Sequence, residues 1–329
     1  MTSLRSLFDA FSDLRVLIVG DVMIDSYLWG KVERISPEAP VPIVQLRKQE
    51  RRLGGAANVA LNVRALGAKA TIATVVGDDA ESQTLFQLFQ EADIDTSAVV
   101  RSANRPTTVK HRILAGSQHL LRVDSETTEP IAETESQQLI AKIQALLPQT
   151  DVLIFEDYDK GVLTAENIAL LMEMAQKQQI PTVVDPKKRN FLAYRGATLF
   201  KPNLKELKEG LGYDFNIVEP FHLEKAVEKL QALMPVENVL ITLSEHGVFV
   251  AGRGQKHYIA AHKREIADVS GAGDTVVSIA ALVLALGEPL ALVAELANLG
   301  GGLVCESLGV VPIQKNRLLQ EAQNLILNI

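Results

Sequence analysis

Short apolar runs that end in polar or turn residues recur along this chain, separated by segments with apolar positions at helical spacing. "RVLIVGD" (15–21), "KATIATVVGDD" (69–79), "DVLIFEDY" (151–158), "PTVVDPK" (181–187), "ATLFKPN" (197–203) and "NVLITLSEHG" (238–247) share the first pattern. Their β-rich apolar stretches predict strands of a buried parallel sheet. "AANVALNVRALG" (56–67), "SQTLFQLFQEA" (82–92), "ESQQLIAKIQALL" (135–147), "TAENIALLMEMAQKQQ" (164–179) and "HLEKAVEKLQALM" (222–234) show the second and predict helices. Strand–helix–strand repetition implies an α/β fold, a three-layer α/β/α sandwich around a mainly parallel sheet. In such sheets ligands bind beyond the carboxyl ends of the strands. Nearly every predicted strand ends in Gly, Asp, Asn, Lys or Thr, so the polar chemistry gathers along one edge.

Two stretches break the alternation. Residues 26–52 show strand-like alternation around a Pro-rich turn, and residues 107–126 read as a hairpin turning near Ala115, Gly116 and Ser117. Extra β segments outside a central sheet form a small lid. With no linker, repeat or low-complexity segment, residues 1–329 are expected to form one domain with the lid inserted.

Composition narrows the function classes. The 329 residues are 47% hydrophobic and 22% charged, which suits a compact core and argues against disorder. A net charge of −7 argues against a broad nucleic-acid-binding surface but allows a local basic pocket. The single cysteine, Cys305, permits no intrachain disulfide, which suits a reducing cytoplasm. At the N-terminus Leu4, Leu7, Phe8, Phe11 and Leu14 recur at helical spacing, and Asp9 and Asp13 interrupt any signal-peptide core. The longest apolar run, 276–286, is too short to cross a bilayer. A cytoplasmic protein with neither nucleic-acid nor membrane partners is expected.

Several motifs offer chemistry, each with a plainer reading beside it. "DVSGAGDT" (268–275) sets two glycines and a carboxylate before an apolar helix. Small residues at a helix N-terminus let an anion approach unpaired N–H groups, and Asp274 could take a proton there. A Gly joint with an Asp cap explains the same residues. "GGAANVALN" (54–62) puts Gly54 and Gly55 before another apolar helix; they serve either a tight turn or, with Asn58, the holding of hydroxyl groups. "GDVMID" (20–25) places Asp21 and Asp25 past a strand end, suited to binding hydroxyls or to capping; it is not a dinucleotide fingerprint. "KPNLKE" (201–206) spaces Asn203 and Glu206 either to order waters around Mg²⁺ or to form a capping box. "EDYDKG" (156–161) and "DPKKRN" (185–190) place Asp157, Lys160, Asp185 and Lys187 along the same edge, where each could be a solvated loop charge. The six histidines show no zinc spacing, and no P-loop is present.

The order of these motifs carries more than any one of them. "GGAANVALN", "KPNLKE", "TLSEHG" and "DVSGAGDT" in sequence resemble the ribokinase-like (PfkB) family of sugar kinases over nearly the whole chain. "RISPEAPVP", "QHLLRVD", "DYDKG", "DPK" and "YRGATL" look like the kinase half of the D-glycero-D-manno-heptose 7-phosphate kinases, which act in making the ADP-heptose precursor of lipopolysaccharide core. The resemblance implies ATP and Mg²⁺ as cofactors and phosphorylation at the anomeric O1. It makes Asp274 the base and the N–H groups of Gly271, Ala272 and Gly273 the cradle for the moving phosphoryl group. Asn203 and Glu206 would organise Mg²⁺ through water. Thr242 and Gly247 would line the nucleotide site, with Asn298 near the adenine. Asp25, Gly54, Gly55 and Asn58 would hold the sugar under the lid.

A phosphorylated substrate also needs cations, for which Lys110, Arg112, Arg122 and Lys187 are the candidates; ordinary lid-surface charge is the plainer reading of the lid residues. Similar kinases often hold a monovalent cation such as K⁺ beside the anion hole, with Asp268 and Ser270 as candidates here. Lids of this kind pair between subunits, so a homodimer is expected. Two departures stand out: Ser270 replaces the usual Thr, and Glu156 and Asp159 stand where small residues are common. No nucleotidyltransferase domain is expected within 1–329, so a separate protein would continue the pathway. The alternatives are a kinase of the same fold acting on another sugar or sugar phosphate, and an inactive sugar-binding module. The second would have lost Asp274 or the glycines beside it.

Overall fold

The structure is a computed structural model and describes residues 3–116, 118–215, 220–252 and 254–326. In chain order its strands are β1 (Arg15–Gly20), β2 (Val22–Ile35), β3 (Pro42–Gly55), β4 (Lys69–Gly77), β5 (Asp95–Ser102), β6 (Val109–Ala115) and β7 (Gln118–Ser125). They continue with β8 (Val152–Glu156), β9 (Thr182–Asp185), β10 (Leu199–Phe200), β11 (Asn238–Thr242), β12 (Val248–Gly252) and β13 (Gln255–Ile259). One sheet has nine strands in the order β13-β12-β11-β10-β9-β8-β1-β4-β5, and a second has four in the order β3-β2-β6-β7.

From β11 through β5 the larger sheet is parallel, and only β12 and β13 run antiparallel. Its central strands are buried on both faces, as their unbroken apolar runs require. Alternate β1 side chains serve opposite cores. Val16 and Ile18 pack on the side covered by helices Ala56–Ala65, Ala272–Ala285 and Leu290–Val304. Leu17 and Val19 pack on the side covered by helices Glu133–Leu146, Ala165–Lys177 and Pro220–Leu233.

The predicted parallel strands and the helices between them form, with shifted ends. The strand expected over 197–203 shrinks to Leu199–Phe200. Lys201 N–H still reaches the Val184 carbonyl at 2.8 Å, but Pro202 has no N–H with which to extend the ladder. Strands β5 and β13 were not anticipated. In β5 polar residues flank a short apolar centre, and β13 is largely exposed; periodicity is weak in both.

The two irregular stretches form the smaller sheet. It is mixed, with β2 parallel to β6 and antiparallel pairs at β2–β3 and β6–β7. The expected limits move outward at the first segment, to 22–55, because β2 begins inside the core: Val22 to Tyr27 are buried and the rest of the strand emerges. Register shifts after Trp29 and Val32 mark where it leaves the body. Ser117, at the predicted tip of the second segment, lies outside the described residues.

Candidate functional site

Parallel pairing brings the polar strand ends together. Gly20 of β1 stands in register with Glu156 of β8, and Glu156 with Asp185 of β9. Into this edge points the N-terminus of the Ala272–Ala285 helix. Its cap, Gly271, has φ 79°, and a Cβ there would stand 2.9 Å from Asn58 Nδ2, so glycine is needed on both counts. The cradle expected from three amides is smaller: the Ala272 N–H donates to the Val269 carbonyl at 3.3 Å, because left-handed Gly271 closes a turn there.

Asp274, only 4% exposed, is clamped from two sides. Asn58 Nδ2 donates to its Oδ2 at 2.7 Å and the Tyr158 hydroxyl to its Oδ1 at 2.8 Å. Burial pushes the Asp274 carboxyl up from the ordinary range, with Asp185 adding to the rise and both hydrogen bonds opposing it. Asn58 was expected among the sugar-holding residues. Here its amide is spent on Asp274 and on Asn62 Nδ2, which reaches Asn58 Oδ1 at 3.2 Å. Asn62 Oδ1 in turn accepts from Thr275 Oγ1 and from Ile313 N–H.

Tyr158 was not anticipated. "EDYDKG" drew attention for its charges, whereas the tyrosine between them reaches Asp274. Lys110 and Lys187 bring their ammonium groups to 5.5 and 5.1 Å from its ring centroid. Burial and the carboxylates of Asp274, Glu156 and Asp185 push its phenol well above the usual tyrosine value, so it stays a donor. Its loop is held by Asp21, whose carboxylate accepts from the N–H groups of Tyr158 (2.9 Å), Lys160 (3.1 Å) and Val162 (3.1 Å). Asp21 thus braces this loop.

Behind the site, Asp157 accepts from Asp159 N–H, Asn190 Nδ2 and Tyr194 Oη. Burial and the nearby Asp21 carboxylate still push it from 3.8 up to about 6. A carboxyl raised on folding favours the native state below its unfolded value, and that stability is lost as pH rises through the folded value. Relative to Asp157→Asn, the wild type should therefore gain about 2.4 kcal/mol of unfolding free energy between pH 7 and pH 4. Urea denaturation of both proteins at each pH checks this; a pH-independent difference would contradict it.

Asp25 and its surroundings form the lid-side wall. Asp25 is buried and ion-paired with Arg112, whose guanidinium also lies over the Tyr27 ring. A Cβ on Gly54 would come within 2.4 Å of Asp25 Oδ2, so that glycine makes room for the carboxylate. Gly55 adopts φ 59° against the Asp21 carbonyl. Arg122 does not join this group. It faces Arg112 in the β6–β7 register, but its side chain is 61% exposed and pairs with Asp124 at 3.0 Å.

Across the site, Asn203 and Glu206 form the capping box: Asn203 Oδ1 accepts from Glu206 N–H and Glu206 Oε2 from Asn203 N–H, both at 2.8 Å. Glu206 Oε1 also accepts from Lys187 Nζ at 2.5 Å. Burial opposes the charge on Lys187, but Asp185 and Glu206 outweigh it and hold the ammonium protonated. Thr242 bridges to Asn203, and Gly247 sits in the turn before β12. Asn298, on the late helix expected for it, donates to the Ala260 carbonyl at 2.9 Å and so fixes the chain after β13. Asp268 accepts from Ser270 N–H and Oγ and from Gly309 N–H.

Three carboxylates converge unforeseen at the centre. One oxygen each of Glu156, Asp185 and Asp274 lie within 4.8 Å of one another. Lys201 Nζ pairs with Asp185 Oδ2 at 2.8 Å. Burial, then Asp185 and Asp274, push the Glu156 carboxyl well above its ordinary range.

Comparison with known proteins matches this arrangement to a family. Residues 13–316 fit the profile of the pfkB family of carbohydrate kinases. The chain belongs to that family. It is thereby an ATP-dependent sugar kinase with the ribokinase-like fold, as the motif order implied. The Bifunctional protein HldE of Trichlorobacter lovleyi is 41% identical over 306 residues, 93% of this chain and 62% of that protein. The protein of the same name from Methylobacillus flagellatus is 42% identical over 313 residues, 94% of this chain and 63% of that one. The chain thus spans less than two thirds of these relatives' length. Among solved structures, phosphofructokinase-2 from Escherichia coli in complex with potassium superposes with TM-score 0.78 over 95% of this chain and 99% of that one, at 19% identity. That likeness speaks for the fold alone. In this pfkB kinase the glycine-capped helix and the two-sided clamp on Asp274 occupy the edge where the parallel strands end.

Proposed function

We propose that this kinase transfers the γ-phosphoryl group of ATP to O1 of D-glycero-D-manno-heptose 7-phosphate, giving the 1,7-bisphosphate and ADP for ADP-heptose synthesis. The observation that carries the chemistry is the buried Asp274 carboxylate, held by Asn58 and Tyr158 at a glycine-capped helix N-terminus. The similarity to HldE proteins supports the sugar.

In this reading Asp274 takes the proton of the anomeric hydroxyl as the oxygen attacks phosphorus and the bond to ADP breaks. The N–H groups of Gly271 and Gly273 face the moving phosphoryl oxygens. Bound Mg²⁺ would offset charge on the ATP phosphates. Asn203 and Glu206 would take that role through water with the same oxygen atoms that form the capping box. Thr242 and Gly247 line the nucleotide side, with Asn298 near the adenine. K⁺ near Asp268 and Ser270 belongs to the same proposal, although three donors already occupy most of the Asp268 carboxylate.

For the 7-phosphate, Lys110 and Arg112 are favoured over Arg122, because they border Asp25 and Tyr158 while Arg122 stands outside. Lys187 belongs with Glu206 on the nucleotide side. The Lys110→Met protein should raise KM for the sugar phosphate about tenfold or more and leave KM for ATP within about twofold. Steady-state kinetics with each substrate varied decides it; equal rises in both would remove Lys110 from the sugar side.

A homodimer through the smaller sheet is part of the reading, supported by the exposed Ile35, Leu46, Leu121 and Val123 there. So are a cytoplasmic location and a later nucleotidyltransferase step. No helix among the described residues is long and apolar enough to cross a membrane. The overall test is ATP consumption against a panel of sugars and sugar 7-phosphates. Preference for heptose 7-phosphate is expected; turnover only with another sugar would reassign the substrate.

A further inference from the structure

Tyr158 stands just past β8, and both ends of its side chain are engaged. Its hydroxyl donates to Asp274 Oδ1 at 2.8 Å. Its ring lies against the glycine turn before Asn58: a Cβ on Gly55 would stand 3.5 Å from Tyr158 Cδ2. The ammonium groups of Lys110 and Lys187 lie 5.5 and 5.1 Å from the ring centroid.

The two lysines are not held alike. Lys187 Nζ is bonded to Glu206 Oε1 at 2.5 Å and lies 4.0 Å from Asp185 Oδ1. No ion pair among the described residues holds Lys110. Burial pulls its ammonium below the ordinary lysine value, with Lys160 adding to the fall and Asp25, Glu126 and Asp124 opposing it. The negative face of the Tyr158 ring is thus a contact that steadies Lys110.

The base uses the hydroxyl for a different reason. Asn58 donates to one carboxylate oxygen of Asp274 and Tyr158 to the other, which fixes the plane of the group and leaves acceptor sites for a substrate hydroxyl. Both donors also favour the charged form against burial. The other groups that face Asp274 are Glu156 and Asp185 at the ends of β8 and β9, and Lys201 after β10, with Lys187 beyond Asp185. Of these, the two carboxylates oppose its ionisation and Lys201 supports it.

We propose that Tyr158 is a positioning residue with two separable tasks: its hydroxyl orients Asp274 and keeps it charged for proton removal, and its ring seats Lys110 against the phosphate of the sugar. This deepens the kinase reading and rests on it, since it takes Asp274 as the base and Lys110 as a phosphate ligand.

The test is steady-state kinetics on the wild type, Tyr158→Phe and Tyr158→Leu, with heptose 7-phosphate and ATP each varied across the acid limb of the pH profile. Tyr158→Phe keeps the ring. It should lower kcat about tenfold at neutral pH and hold both KM values within about twofold. The lost hydroxyl had favoured the carboxylate, so Asp274 should ionise at higher pH in this variant, and the deficit should shrink as pH rises. Asp157 and the substrate phosphate titrate near pH about 6 in both proteins, so the difference between the profiles isolates Asp274. Tyr158→Leu should show the same loss in kcat and also raise KM for the sugar phosphate about threefold or more. Its KM for ATP should stay within about twofold, because Glu206 still holds Lys187. Thermal melts accompany the kinetics, and Tyr158→Met stands in should the leucine protein melt early.

A Tyr158→Phe protein with wild-type kcat, or with a loss that is the same at every pH, would overturn the task of the hydroxyl. An unchanged KM for the sugar phosphate in the ringless variants would overturn the task of the ring. Failure of the kinase reading looks different: Asp274→Asn would keep its rate, or Lys110→Met its KM. If those two variants behave as expected and the Tyr158 variants do not, only Tyr158 loses its place.

Discussion

The Asp274→Asn protein should lose phosphoryl transfer almost completely, with kcat reduced about 10³-fold, in the range for removing a general base. Its KM for ATP should change little, because the amides of the helix N-terminus remain. Asparagine keeps the size of the side chain but reverses one contact. Its oxygen can accept from Tyr158, whereas its NH₂ would then meet Asn58 Nδ2, another donor. Stability should not fall in proportion, since burial already holds the Asp274 carboxyl above its ordinary range and the substitution removes a buried charge. Single-turnover kinetics with ATP and the sugar phosphate, alongside a thermal melt, tests both statements. A variant that melts like the wild type and still turns over at a comparable rate would remove Asp274 as the base.

The second large effect is expected far from any substrate atom. Asp21→Ala should lower the unfolding free energy by about 3 kcal/mol, because three backbone N–H groups, one of them fully buried, lose their acceptor together. Burial keeps the Asp21 carboxyl above its ordinary range, so the carboxylate is itself under some strain of desolvation, which offsets part of that loss. The same substitution should cut kcat at temperatures where the protein is folded, since the freed loop carries Tyr158 to Asp274. Asp21→Asn should lie between, retaining one acceptor oxygen. Urea midpoints and ATP turnover measured on the same samples decide the matter. A folded Asp21→Ala protein with wild-type kcat would show that the loop needs no such brace.

Much of this architecture is local in origin. The apolar runs of β1, β4, β8 and β11 and the helices between them are legible because burial on both faces leaves an unbroken hydrophobic signature. Parallel order then puts their polar ends on one edge, so Asp185, Asn203 and Thr242 could be assigned to that edge before any contact was known. Glycine before Asp274 was legible for a similar reason, since a left-handed cap excludes most other residues.

What the sequence by itself determined, then, is the layered α/β fold, the edge that bears the chemistry, and the helix N-terminus at its centre. Only the tertiary structure decided which side chains meet there. Tyr158 and Asn58 reach Asp274 across 116 and 216 residues, and Arg112 reaches Asp25 across 87. Glu156 and Asp185 become neighbours through the pairing of β8 with β9. Periodicity reports how a segment faces its own surroundings, over a few residues. Contacts between segments depend on how sheets and helices pack, which no local pattern encodes. The contacts of Asn58 with Asp274 and of Arg112 with Asp25 were therefore out of reach of the sequence.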